Sequence, residues 1–229
     1  MLPKINHKNF FGFKSFLFFC LMSKHEERIV GESLKLFMEN GIRSVTMDDI
    51  AAQCGISKRT LYEHFSDKEA LLTCCIKSIQ SKKNQDHAAI IKASEHVIEV
   101  MMGKIKLVLK EGADCVPAFY REIAKYYPSV HAIKQRHFKE FVSKEVKDLL
   151  AKGIKQGLFR TELNVDIVSA LLMGQMQFVI QELSAHSKYS FAEIFKTMMF
   201  SFARGISTPK GLALIADFEK KNASDFIIK

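Results

Sequence analysis

Glycine and proline are scarce in this chain, at 11 and 4 of 229 residues, about half of their usual combined share of roughly 12%. That excludes a collagen-like chain and argues against a turn-dense all-β protein. The five cysteines, Cys20, Cys54, Cys74, Cys75 and Cys115, are an odd number without C-x-x-C spacing. Neither a disulfide framework nor a zinc site is indicated, and they read as reduced, small apolar residues of a cytoplasmic protein. No apolar run reaches the ~18 residues that a membrane span needs. G-x-S-x-G, H-E-x-x-H and a phosphate-cradling Gly-rich loop are all missing, and the eight histidines lack metal-ligand spacing. No enzyme, metal or cofactor is therefore expected. What is present is 48% hydrophobic and 26% charged, a composition that folds into a globule.

Residues 1 to 21 hold six of the nineteen phenylalanines and three lysines with no acid. The apolar stretch from Phe16 to Met22 sits at the short limit of a signal-peptide core, no Ala-x-Ala site follows, and a charged helix begins at once. A non-secreted extension is expected, with natural translation starting at Met22.

From residue 24 onward the apolar spacing is helical, and no alternating run bounded by turn residues stands out, so the fold class is all-α. The first helix is predicted over 24 to 40, closed by Asn40-Gly41. Short helices follow over 46 to 54, with Asp49 completing a capping box on Thr46, and over 57 to 65. Ser66 opens the next, with Glu69 at its box position. Longer helices are expected over 67 to 84, 86 to 111 with a break at Gly103, 114 to 126, 129 to 157, 165 to 185 and 190 to 207, and a last one around 212 to 218. Pro128 and Pro209 mark boundaries.

Residues 46 to 65, TMDDIAAQCGISKRTLYEHF, place a capped helix, a tight turn at Cys54-Gly55-Ile56 and a second short helix in succession, the sequence form of a helix-turn-helix. Ile50 and Ala51 can meet Leu61 across the turn, and Ala51 and Ala52 are small enough for close approach. Gly55 falls where the backbone turns through positive φ. Left outward on the second helix are Ser57, Lys58, Arg59, Thr60, Tyr62 and His64, hydrogen-bond donors placed as base edges and phosphates require. Lys68 adds a cation in the first turn of the next helix. Tyr62 and His64, each standing alone, would read as a core aromatic and a helix-surface residue.

Residues 28 to 72 resemble the DNA-binding domain of the TetR family of bacterial transcriptional regulators, through LF…G, T-x-x-x-I-A, G-I-S, T-L-Y-x-H-F and K-E-x-L in the family's order and spacing. The resemblance implies that Thr46, Tyr62, His64 and Lys68 hold phosphates and that Ser57, Lys58, Arg59 and Thr60 begin the recognition helix. Lys58 and Arg59 are the candidates for reading bases, or else they too hold phosphate. Ile42 departs from the family's frequent aromatic, at a packing position. The implied layout is an N-terminal three-helix helix-turn-helix domain over 22 to 72, a helical ligand-binding and dimerisation bundle over 73 to 209, and a tail over 210 to 229.

The dimer has a physical argument of its own. Between Asp166 and Glu182 there is no charged residue, and two apolar stripes run along this stretch: Val168, Leu172, Met176, Val179, Leu183 on one face and Ile167, Leu171, Phe178 on another. The following helix, with Phe195, Met199 and Phe202, is apolar on more than one side as well. A surface helix needs one stripe. Either a second copy covers the other, with Val168, Leu172, Met176, Val179, Leu183, Phe195, Met199 and Phe202 as the interface, or both helices are central core. For an effector, Met101, Met102, Phe119, Tyr120, Phe138 and Met173 are candidates to line an adaptable apolar cavity, although such residues are more often plain core.

The expected protein is thus a cytoplasmic homodimeric regulator, most simply a repressor, that binds double-stranded DNA at a palindromic operator and answers to a small molecule. The competing reading is a helical small-molecule-binding protein without DNA binding, which an eroded recognition helix would signal; residues 57 to 64 are intact. The net charge of +9 does not decide between them. Residues 22 to 83 carry only +1, while residues 134 to 160 hold eight Lys and Arg against three acids, the pattern of a solvated helix face.

Overall fold

The computed structural model describes residues 22–110, 115–183 and 187–222. The expectations for residues 1 to 21 lie outside them. Among the described residues the chain is helical, with one isolated bridge between Phe159 and Ser207, and no helix is long and apolar enough to cross a membrane. Contacts divide it into two compact units. One holds the described residues up to Asp86 together with Glu122–Gln135, the other His87–Arg121 and the described residues from Arg136 on. The unit with the helix-turn-helix is therefore larger than residues 22 to 72.

In the first unit, α1 (Lys24–Asn40) starts at Ser23, whose hydroxyl accepts from the Glu26 N–H while the Glu26 carboxylate accepts from the Ser23 N–H. Its apolar residues at 29, 30 and 37 bury Ile29, Val30 and Phe37, and it ends at Gly41, φ 82°. Then come α2 (Met47–Gln53), α3 (Lys58–His64) and α4 (Lys68–Ala93). The cap of α4 is Asp67 rather than Ser66: Asp67 Oδ1 accepts from the Ala70 N–H at 2.7 Å, and Ser66 donates to Asp67. Glu69 accepts instead from the Ser129 hydroxyl.

α4 runs through the expected break at residue 85 and stops at Ala93. Ser94 folds back on the Ile90 carbonyl, and His96 Nδ1 and the Glu99 carboxylate cap the start of α5 (Val97–Lys110). Gly103 does not break α5. A Cβ there would lie 3.0 Å from an Ile90 methyl, so the glycine permits close approach between helices. α6 (Cys115–Tyr126) follows, then α7 (Pro128–His137), a π turn at Phe138–Val142 and α8 (Ser143–Lys155) in one continuous helical stretch. α9 (Val165–Phe178) passes into a π turn at Val179–Leu183, and α10 (Phe191–Ile206) and α11 (Pro209–Lys221) close the described chain. α11 is longer than expected because Thr208 caps it and Pro209 occupies its first position, where a missing N–H costs nothing.

The core of the second unit gathers Ile98, Met102, Leu150, Phe159, Phe195 and Ile215 from α5, α8, α10, α11 and the 158–159 link. Phe159 is fully buried against Gly153, where a Cβ would fall 2.0 Å from its ring. The main chain on either side exchanges hydrogen bonds from Arg160 N to Ile206 O and from Thr208 N to Leu158 O, joining the end of α8 to the start of α11.

Candidate nucleic-acid interface

The turn between α2 and α3 is closed by backbone bonds from Gly55 N to Ala52 O and from Ile56 N to Ala51 O, both 3.0 Å. This pair is the Schellman arrangement, which needs a left-handed residue between the helices. Gly55, at φ 62°, supplies it. Ile50, Ala51, Cys54, Leu61 and Phe65 are buried beneath the turn, as the spacing implies, whereas Ala52 is exposed: one position past Ala51, it rotates off the packed face.

Burial of Leu61 and Phe65 fixes how α3 is rolled. Arg59 and Glu63 point farthest from the core, Lys58 and Tyr62 flank them on one side, and Thr60 and His64 on the other. Ser57 caps the helix, its Oγ accepting from the Thr60 N–H at 3.0 Å. Tyr62 is 44% exposed. Arg59, with its side chain 90% exposed, makes one Nε contact with Glu63 at 3.2 Å. Lys58 reaches back to Asp48 of α2, 2.8 Å from one carboxylate oxygen and 3.0 Å from the other, and that hydrogen bond raises its pKa.

The remaining candidates are held around this helix. His64 Nδ1 lies 3.5 Å from Glu26, with its ring tilted against His25. Lys68 Nζ donates to the Arg43 carbonyl at 3.4 Å, and burial lowers its pKa. The Thr46 hydroxyl and backbone N–H donate to the Asp49 carboxylate at 2.7 and 2.8 Å, which lowers the Asp49 pKa, while the hydroxyl accepts from the Asp49 N–H. The capping box thus uses the one donor of the Thr46 hydroxyl. Sequence reasoning passed over Asp48 and Glu63, the acids that hold the two candidate base readers. The Arg59 and Glu63 spacing of four was a readable signal; the pairing of Lys58 with Asp48 crosses a turn and has no local signature.

In the second unit, the stripe chosen as the dimer face turns inward. Leu172, Val179 and Phe195 are buried, and Val168, Met176, Met199 and Phe202 pack on the same core; Leu183 is the exception, 38% exposed. The companion stripe is the open one. Ile167, Leu171 and Phe178 are 58%, 59% and 55% exposed, with Gly174 exposed between them. A groove of 1170 Å³ adjoins this face, lined by Gln175, Phe178, Leu183, Tyr189, Ile194 and Arg204 among others. Of the effector candidates, Met101, Met102 and Phe119 are buried, the two methionines within the core cluster, while Tyr120, Phe138 and Met173 are half-buried.

Cys54, Cys74 and Cys75 are free thiols whose pKa values burial raises, unlike reactive thiolates. Among the described residues no group of three His, Cys, Asp or Glu side chains is placed to hold a metal ion.

Residues 29–73 match the family model described as "Bacterial regulatory proteins, tetR family". The helix-turn-helix segment is thus similar to the DNA-binding segment of the tetR family. The chain is 28% identical over 194 residues to the uncharacterized HTH-type transcriptional regulator YerO of Bacillus subtilis (strain 168), covering 71% of the chain and 67% of YerO. It is also 28% identical over 180 residues to the HTH-type transcriptional regulator UidR of Escherichia coli (strain K12), covering 75% of the chain and 89% of UidR. In fold it resembles a transcriptional regulator from Saccharomonospora viridis solved in complex with choline, with a TM-score of 0.69 and 18% identity over 82% of this chain and all of that one. With the match at its helix-turn-helix and relatives that are HTH-type transcriptional regulators, the chain is a transcriptional regulator.

Proposed function

We infer that this chain is a homodimeric, ligand-responsive repressor whose two α3 helices enter successive major grooves of a palindromic operator. The observation that carries this reading is the roll of α3: with Leu61 and Phe65 buried, Lys58, Arg59 and Tyr62 are left on its outer side. Tyr62, His64, Lys68 and Thr46 hold phosphates, Thr46 by exchanging its bond to Asp49. Ser57, Lys58, Arg59 and Thr60 meet base edges. The uncharged face of Ile167, Leu171, Gly174 and Phe178 on α9 pairs with its copy across the two-fold axis, in place of the buried stripe beside it. A small effector binds in the second unit against Tyr120, Phe138 and Met173, and the choline complex of a fold neighbour supports the idea that such a bundle accepts a small molecule. The effector acts by binding more tightly to a dimer whose heads no longer match the operator spacing.

The test is selection of random duplexes on the full chain. A palindrome with half-sites about one helical turn apart, or a multiple of it, is the expected result; a pool with no enrichment overturns the reading.

A further inference from the structure

The two cations at the start of α3 are held differently. Arg59 extends into solvent with a single contact to Glu63 on its own helix. Lys58 is drawn across the turn, with its ammonium 2.8 and 3.0 Å from the two oxygens of Asp48. Packing of α2 does not need Asp48, since Met47, Ile50 and Ala51 are its buried residues and Asp49 completes its capping box. Both partners of the pair are exposed, at 59% and 62%, so it contributes little to folding stability. It sits instead on the side of the reading head that faces DNA under the function proposed above, on which this inference rests.

We propose that Asp48 is a specificity-determining residue that acts through Lys58, fixing its ammonium for base readout and withholding it from indiscriminate phosphate contact. A lysine ammonium has three N–H donors. A carboxylate that engages it through both oxygens leaves a third, whose direction is set by the pair. At a matched site that donor meets a base-edge acceptor, such as guanine O6 or N7, without breaking the pair. On arbitrary DNA the pair carries no net charge and releases no counterion. Freed of Asp48, the flexible Lys58 side chain would find whichever phosphate lay nearest, adding affinity that is blind to sequence. Asp48 is thus the element that works against wrong sites.

The test compares wild type, Asp48→Asn, Lys58→Gln and the double variant on the selected operator and on a random-sequence duplex, by fluorescence anisotropy across a salt series. Asp48→Asn is expected to raise random-duplex affinity severalfold, to leave operator affinity unchanged or weakened, and to steepen the random-duplex salt slope by about one. In the Lys58→Gln background the change in preference should disappear. An equal shift on both duplexes, which simple removal of a repelling charge would give, overturns the inference, as does a change in preference that persists without Lys58. Those results leave the DNA-reading function standing. A wild-type chain that retains no DNA overturns both.

Discussion

Leu61 and Tyr62 are neighbours on α3 with opposite environments, one fully buried and the other 44% exposed, and that contrast separates what folds the reading head from what it touches. Tyr62→Phe removes a hydroxyl from an exposed ring, so stability should stay within about 0.5 kcal/mol of wild type. Its effect should fall on DNA: if Tyr62 and Lys68 hold phosphates, Tyr62→Phe and Lys68→Ala weaken binding to the operator and to a random duplex by the same factor. Arg59→Ala should behave differently, since a cation reading a base contributes about 1–3 kcal/mol of discrimination at one position. Operator variants scanned by anisotropy are expected to show relaxed preference at a single base pair. Unchanged affinity for the Tyr62 and Lys68 variants would remove their phosphate role.

Between helices of the second unit, a partly buried charged contact at Glu145 ties α4, α5 and α8 together. Burial alone would raise the pKa of this carboxyl, but hydrogen bonds from His87 at 3.2 Å and Lys104 at 2.6 Å, with their charges, outweigh it and lower the pKa from 4.5 to about 2. A carboxyl depressed in the folded state adds stability that is full above the ordinary value and is lost as pH falls from about 4.5 towards 2. The shift corresponds to at most about 3 kcal/mol. Urea unfolding at pH 5 and pH 3 should show that loss, and Glu145→Gln should flatten it while destabilising the protein at neutral pH by leaving Lys104 without its anion. An unchanged pH slope in the variant would show that Glu145 is not its source. This contact was not legible in the sequence, because His87, Lys104 and Glu145 meet through packing. What was legible was local: the caps at Thr46 and Ser57, the stop at Gly41 and the positive φ at Gly55 depend on residues within a few positions. The misplaced break between α4 and α5 has the same origin in reverse, since the Ser94 and His96 side chains that end one helix and start the next carry weaker sequence signals than glycine. On α9, two adjacent apolar stripes satisfy one pattern, and burial decided which of them was core.

Net charge and symmetry belong to the molecule as a whole. The +9 total is mostly outside the reading head, where residues 22 to 83 carry +1, so bulk charge assists long-range attraction, while in the dimer proposed above affinity comes from two heads acting together. Joining the heads makes the second contact intramolecular, and such linkage commonly strengthens binding about 10²–10⁴-fold. The face proposed to join them, Ile167, Leu171 and Phe178, is more than half exposed, so a charge placed there should break the dimer without breaking the fold. Leu171→Asp is expected to keep the helical circular dichroism of the wild type, to sediment as a monomer, and to lose at least about 10²-fold in operator affinity. Its affinity for an isolated half-site should change little. Leu172→Asp, one position along on the buried stripe, should instead unfold the second unit by burying an unpaired charge. A Leu171→Asp protein that remained dimeric and bound operator normally would move the interface off this face of α9.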